Sequence, residues 1–402
     1  MNEQLRRQLE QLRRRIARIE AQTAASPARA SLPAELGRAV ETTLGTHWEI
    51  ERSWPAHHRH GSADVGALAD LPADLLAVLD ENAAGCAPGE WVFLDTETSG
   101  VTGGTGAFAF LVGTGHATPQ GFAVRQFFMR DHGEEPSMLD ALARHLEPFR
   151  VVVTYNGKAF DLPLLETRYR LARQRPPFAH LVHVDLLHAA RRLWRLALDS
   201  CRLMELEARV IGFERQGDPG GAAVPRLYLE YLRTGHFRPL VPVFAHNAHD
   251  ILSLACLTAI VPAAFRDPSR LTHPAEMAAL ARYFQREGRL EEALRLLNEA
   301  LRRTLPEEML WEALWQAAEI ERKLGLTDAA LARWSELSTI RNPYQAQALE
   351  KLAVHYEHRE KNAALALEMA RAAYGLEPSA ELEKRIRRLE AKAAAPRPPR
   401  LL

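Results

Sequence analysis

The 402-residue chain has little sulfur and no net charge. Its three cysteines, Cys86, Cys201 and Cys256, are scattered, odd in number and without CxxC spacing. That argues against a disulfide framework and against a zinc site, and it fits a reducing compartment. Lysine plus arginine balances aspartate plus glutamate, 51 against 51, so no global field draws the protein to nucleic acid or anionic lipid. Polyanion binding must then come from local patches. No apolar run reads as long enough to span a bilayer, and the charged N-terminus lacks the hydrophobic core of a signal peptide. These absences predict a cytoplasmic protein with no membrane partner.

What is present supports a large core. Apolar residues make up 47% of the chain, and its length suits two or three domains. Residues 1–22 read as a basic amphipathic helix, with Leu5, Leu9, Leu12, Ile16 and Ile19 alternating four and three apart. About three heptads is marginal for a free coiled coil, so a homodimer contact and a helix docked on its own domain both stay open. Residues 23–36 read as a linker. Order between Gly37 and Glu90 is not legible. His57, His58 and His60 crowd one stretch there, read as a surface loop or an edge of the next domain in preference to a metal site.

A strand-and-helix pattern follows. Trp91–Thr98, Phe108–His116 and Phe122–Met129 read as strands of an antiparallel meander. Then come a helix at Pro136–Pro148, a strand at Val151–Tyr155, a helix at Leu162–Arg173 and a strand at Leu181–Leu187, with helix to about Val261. Meander followed by alternation predicts a mixed α/β sheet over residues 37–265. Residues 272–380 read as tetratricopeptide-like helical repeats with a surface for a protein partner. Gly288-Arg289-Leu290-Glu291-Glu292-Ala293-Leu294 recurs from Gly325 and more weakly from Lys361, with the repeated alanine assigned to Ala293, Ala330 and Ala364. Residues 381–402 read as a basic, Pro-rich, frayed tail.

The chemistry concentrates in carboxylates. Asp95 and Glu97 end the apolar run Trp91-Val92-Phe93-Leu94, two apart, so on a strand they face the same way. Two neighbouring anions at the tip of a core strand call for a cation, most simply a divalent metal. Asp161 stands at the start of the helix after Val151–Tyr155, as an N-cap or as a ligand. His246 and Asp250, four apart, share one face of an apolar helix. Asp185 ends another strand and is read as structural. Arg168, Arg170, Arg173 and Arg175 form one basic cluster, and Arg191, Arg192, Arg195 and Arg202 another; phosphate contacts and pairs with Glu166, Glu205 and Glu207 are both open for them. Gly103-Gly104-Thr105-Gly106 lacks the GxxxxGK[ST] pattern and reads as a turn near the site. Tyr228 and Tyr231 are read as core residues in preference to base-stacking ones.

Taken in order, Asp95-x-Glu97, Asn156-x-x-x-Phe160-Asp161 and His246-x-x-x-Asp250 resemble the DEDD exonuclease superfamily of the ribonuclease H-like fold. The text around them, including Phe93-Leu94-Asp95-Thr96-Glu97-Thr98 and Thr154-Tyr155-Asn156-Gly157-Lys158-Ala159-Phe160-Asp161, is similar to a YprB-type ribonuclease H-like domain. The resemblance implies a metal-dependent 3′–5′ exonuclease acting on nucleic acid, DNA or RNA, at a single-stranded 3′ end. It implies two Mg²⁺ or Mn²⁺ ions held by Asp95, Glu97, Asp161 and Asp250. It makes His246 the general base. Among the remaining residues, Thr98, Arg191 and Arg192 are candidate substrate contacts, Lys158 is a candidate to steer the phosphate, and Asn156 is read as fixing the turn after its strand in preference to bonding a substrate sugar or phosphate. One departure stands out: this chain has histidine at the three-residue spacing that the superfamily pairs with tyrosine. His249 is a weaker competitor for the base. The rival reading is a catalytically weak nucleic-acid-binding module with a helical-repeat scaffold.

Overall fold

The computed structural model describes residues 32–100 and 106–394. The expected N-terminal helix, most of the linker, Gly103-Gly104-Thr105 and the Pro-rich end therefore lie outside the described residues. The described chain forms two compact units. One runs up to Ala189 and includes Arg202–Ala263; the other joins Ala190–Cys201 to the chain from Ala264 onward.

The first unit is built on a seven-stranded mixed sheet. Its strands are β1 (Arg38–Thr42), β2 (Gly45–Pro55), β5 (Trp91–Thr98), β6 (Ala109–Thr118), β7 (Gly121–Phe128), β8 (Val151–Thr154) and β9 (Val182–Asp185), with β3 (Arg59–His60) and β4 (Ala63–Asp64) forming a separate hairpin. The sheet order is β1-β2-β7-β6-β5-β8-β9. The meander β5-β6-β7 is antiparallel as expected, and β1 and β2 extend it through the stretch whose order could not be read. β2 escapes sequence reading because polar residues occupy its buried stretch. His47, fully buried, bonds Ser137 Oγ at 2.9 Å and Glu49 Oε1 at 3.0 Å. β8 and β9 continue the sheet in parallel from β5. β8 is buried along its whole length, as suits a strand covered on both faces, whereas β9 alternates apolar with polar residues and is half-buried.

The helices that begin in this unit are α1 (Glu135–Leu146), α2 (Asp161–Leu171), α3 (Leu186–Trp194), the short α4 (Leu203–Leu206), α5 (Val224–Thr234) and α6 (Val241–Arg266), with α3 from Ala190 and α6 from Ala264 counted in the second unit. α1 and α2 are joined by a buried, bidentate pair, Arg168 to Glu135, with both contacts at 2.6 Å. The guanidinium also lies 3.8 Å from the Phe108 ring centroid. Arg168 thus belongs to the interior and not to a phosphate-binding cluster, while Arg170 pairs with Glu166 at the surface. Tyr228 and Tyr231 are buried, and Tyr228 stacks on Phe110 at 3.9 Å. One expectation is corrected. Arg238–Arg266, which contains α6, is long and apolar enough to cross a membrane, and 78% of its most apolar window is buried inside the protein. The polar residues His246, Asn247 and Asp250 break the run when hydropathy is read residue by residue, yet the helix is apolar on every side.

The second unit is helical: α7 (Pro274–Arg286), α8 (Leu290–Leu301), α9 (Glu307–Lys323), α10 (Thr327–Thr339), α11 (Gln345–His358), α12 (Ala363–Leu376) and α13 (Ala380–Ala394). α13 takes up chain that was expected to be frayed tail. The repeat is real in register, with one alanine reassigned. Ala293, Ala330 and Ala366 are each the fourth residue of their helix and almost fully buried, whereas Ala364 is exposed. The spacing becomes 37 and 36 residues. Two residues before each of these helices the backbone is left-handed, at Gly288 (φ 78°), Gly325 (φ 77°) and Lys361 (φ 56°). Lysine at the third position hides the signature that glycine displays at the other two.

Candidate metal and nucleic-acid site

Asp95 and Glu97 lie on β5, the strand where the antiparallel half of the sheet meets the parallel half. The polypeptide after β8 brings Asp161 to the same tip. Asp161 is the first residue of α2, and its Oδ1 accepts a hydrogen bond from Thr96 Oγ1 at 2.5 Å. Phe160 occupies the cap position, so Asp161 is not the helix cap. The loop between β8 and α2 is tied down by Asp185. Its carboxylate accepts from the backbone N–H groups of Asn156 (2.8 Å), Lys158 (3.0 Å) and Leu187 (3.0 Å), which makes it structural, as expected.

α6 supplies the other half of the site, and two glycines let it come close. Gly113 is the cross-strand partner of Asp95, and Gly115 that of Phe93. A Cβ on Gly113 would meet Asn247 Oδ1 at 2.1 Å, and one on Gly115 would meet Ile251 Cγ2 at 2.3 Å. Asn247 and Ile251, four apart on α6, therefore seat on two bare positions of β6. Asn247 is pinned by Gln126 Nε2 at 2.8 Å, and its own Nδ2 donates to Asp95 Oδ2 at 2.9 Å. This docking carries His246 and Asp250 to the carboxylates. Ligand atoms of Glu97, His246 and Asp250 all lie within 4.8 Å of one another, a spacing that a single metal ion can bridge.

The electrostatics report the same convergence. Burial, then the charges of Asp250, Asp161 and Glu97, push the Asp95 carboxyl well up. Glu97 is raised by burial, Asp250 and Asp161. Burial, with Asp185 adding to it, takes Asp161 up to about 6 despite the Thr96 hydrogen bond. Each neighbouring negative charge makes Asp95 and Glu97 harder to ionise. Glu97 Oε1 is buried with no hydrogen-bond partner, which is costly unless a cation completes it. Carboxylate oxygens are hard donors for divalent cations, and the buried Glu97, Asp250 and His246 could hold one. The residues present fit such an ion.

Two functional-looking residues were not anticipated. A π-helical turn, Glu207–Ile211, ends at Gly212 (φ 72°) and leads into a segment carrying Arg215 and Asp218. Asp218 Oδ1 lies 2.5 Å from His246 Nδ1. His246 Nε2 then faces the cluster, 3.3 Å from Asp250 Oδ2 and 3.6 Å from Glu97 Oε1. Arg215, with 4% of its side chain exposed, binds Glu207 through Nε at 2.7 Å and Nη2 at 2.5 Å. The same Nη2 donates to Asp250 Oδ1, and Nη1 lies 2.9 Å from His246 Nδ1. No spacing in the sequence links Arg215 to Asp250; the one available signal was the glycine-rich text Gly212–Gly221, typical of a loop shaped around something.

The remaining expected residues divide. Thr98 Oγ1 donates to the Gly100 carbonyl at 2.9 Å, just past a register shift in β5. Asn156 shapes the turn after β8, at φ 68°. Lys158 is exposed beside Asp161 in sequence. Arg191 and Arg192 group with the second unit, where Arg192 stacks over Tyr283 at 4.4 Å. His249 points instead to Phe213 and His60, with ring centroids at 5.1 and 6.2 Å. His57 is exposed, and the buried His60 bonds Ser253 Oγ at 2.7 Å while burial takes its imidazole down to about 3. Within the histidine-rich stretch, His60 braces the β3–β4 hairpin against α6 through Ser253.

Comparison with known proteins agrees with this geometry. Residues 92–261 match the RNase H superfamily, and that segment is an RNase H superfamily domain. The chain is also 29% identical over 328 residues to the Bacillus subtilis (strain 168) protein named "Uncharacterized protein YprB", covering 80% of this chain and 78% of that one. A domain of this superfamily supports nucleic-acid binding and phosphodiester cleavage.

Proposed function

We propose that the α/β unit is a metal-dependent 3′–5′ exonuclease acting on single-stranded nucleic acid. The observation that carries this reading is the meeting of Asp95, Glu97, Asp161 and Asp250, from three separate elements, in one buried cluster. These four residues would hold two Mg²⁺ or Mn²⁺ ions. Divalent cations held there would neutralise charge building up on the scissile phosphate and acidify a water for attack. His246, oriented by Asp218, presents Nε2 to the cluster and would accept a proton from the attacking water at that atom. Asn247 fixes the rotamer of Asp95. Lys158 remains the exposed cation nearest in sequence to Asp161 and is the candidate phosphate contact. The polarity and the preference for single strands rest on the resemblance in motif order. We read the helical array as tetratricopeptide-like on its 37- and 36-residue spacing, and as a site for a protein partner.

One observation favours the rival, a catalytically weak binding module: Arg215 already neutralises Asp250. Digestion of end-labelled single- and double-stranded DNA and RNA with MnCl2 separates the two. The exonuclease reading expects stepwise shortening from the 3′ end of single strands. It expects Asp95→Asn and Asp250→Asn to lose at least about a hundredfold in rate while keeping their circular dichroism. Cleavage undiminished in both variants refutes it, and binding without cleavage by the wild type favours the rival.

A further inference from the structure

Arg215 is not a stray surface side chain folded into an acidic hole. It is anchored from behind. Glu207 grips it at two nitrogens, and Glu207 itself is 1% exposed. Ser253 in turn bonds Glu207, and His60 bonds Ser253 at 2.7 Å. The β3–β4 hairpin closes over the same π turn: Ser62 N and Oγ both donate to the Ile211 carbonyl, at 2.7 and 2.8 Å. A Cβ on Gly61 would strike that carbonyl at 2.4 Å. A widened helical turn, a hairpin and a buried glutamate thus fix where the guanidinium points. It points at Asp250 Oδ1, leaving Oδ2 to face His246 and the metal-sized gap.

We propose that Arg215 is a resident cation that competes with a divalent ion for Asp250, and so sets how tightly the cluster binds metal. This rests on the metal-site reading above. While the guanidinium holds Oδ1, Asp250 offers one oxygen only. A second ion, or a bidentate grip on the first, requires Nη2 to withdraw. Glu207 tunes the competition, because it shares the same Nη2 and offsets the arginine's charge.

The proposal is tested with MnCl2 alone, by isothermal titration calorimetry and by the Mn²⁺-induced shift in melting temperature on the full chain. Arg215→Gln removes the competing charge and is expected to bind Mn²⁺ at least about tenfold tighter, with a larger thermal shift than wild type. Glu207→Gln leaves the arginine's charge uncompensated and is expected to bind Mn²⁺ more weakly than wild type. Opposite signs in the two variants cannot come from general loosening, which would weaken both. Equal or weaker binding by Arg215→Gln, with wild type still binding Mn²⁺, overturns the role of Arg215 and leaves the nuclease reading intact. No Mn²⁺ binding by either wild type or Arg215→Gln overturns both. Were Arg215→Gln to misfold, Arg215→Met takes its place, and tighter or weaker Mn²⁺ binding by that variant decides in the same way.

Discussion

The two units each contain a charge cluster, built in opposite ways. In the α/β unit, four carboxylates crowd together with one arginine and one histidine among them, and burial drives Asp95 and Glu97 upward. In the helical unit, a single carboxylate gathers cations. Glu357, with 1% of its side chain exposed, accepts from Arg385 (2.9 Å), Arg388 (2.7 and 2.9 Å) and Lys392 (2.7 Å). Those bonds bring its carboxyl down to about 2. They also fasten α13 to α11. Surplus partners make an anchor, and missing partners make a site that waits for a ligand.

The largest difference between the clusters should appear with metal. Saturating MnCl2 at about 100 times its dissociation constant stabilises the α/β unit by roughly 2.7 kcal/mol through linkage. Hydrogen exchange should slow in β5, α2 and α6 and stay unchanged in α13. Protection of α13 instead would break the comparison.

The Glu357 anchor comes next in size. Glu357→Gln leaves three cations without their anion, two of them half exposed, and should cost about 1–2 kcal/mol. Faster exchange in α13 without change in β5 is the expected pattern.

The pH dependences should have opposite slopes. In EDTA, the folded α/β unit binds more protons than the unfolded chain between about pH 4 and 6, the window set by Asp161 at about 6. Its stability therefore falls as pH rises through that window, and Mn²⁺ should abolish the slope. Glu357 has a lowered carboxyl, so its contribution is complete above about 4.5 and is lost as pH falls toward about 2. Exchange rates in α2 and α13, followed from pH 3 to 7, would show parallel trends if the comparison were wrong.

The smallest effect sharpens the repeat. Lys361→Gly relieves a left-handed lysine where the earlier repeats have glycine, and should raise stability by about 0.5–1 kcal/mol. A loss of stability would show that the lysine side chain does more than tolerate the turn.

Much of this was legible in the sequence. β5 carries its bounds, Trp91–Thr98, in its apolar run, and the sequence order of the three acidic motifs pointed to the superfamily of residues 92–261. β1 and β2 were not legible, because His47 and Glu49 satisfy each other in the interior and so read as surface. Sequence could not choose Ala366 over Ala364 because alanine occupies both positions, and only packing tells the buried one from the exposed one. Arginine spacing gave no sign that Arg191 and Arg192 group with the helical unit, because spacing on a helix encodes a face and not the unit it belongs to.

The sequence by itself determined which residues could bind a cation: oxygen and imidazole donors at strand ends and on one helix face carry that chemistry wherever they lie. Only the tertiary structure decided that a loop far from any motif returns Arg215 and Asp218 to the same donors. Local patterns encode faces and periods, whereas a bond between residues 35 apart on separate elements, such as Arg215 to Asp250, exists only after packing has chosen a docking angle. Here that angle is set by the bare positions Gly113 and Gly115, where the absence of a side chain admits α6.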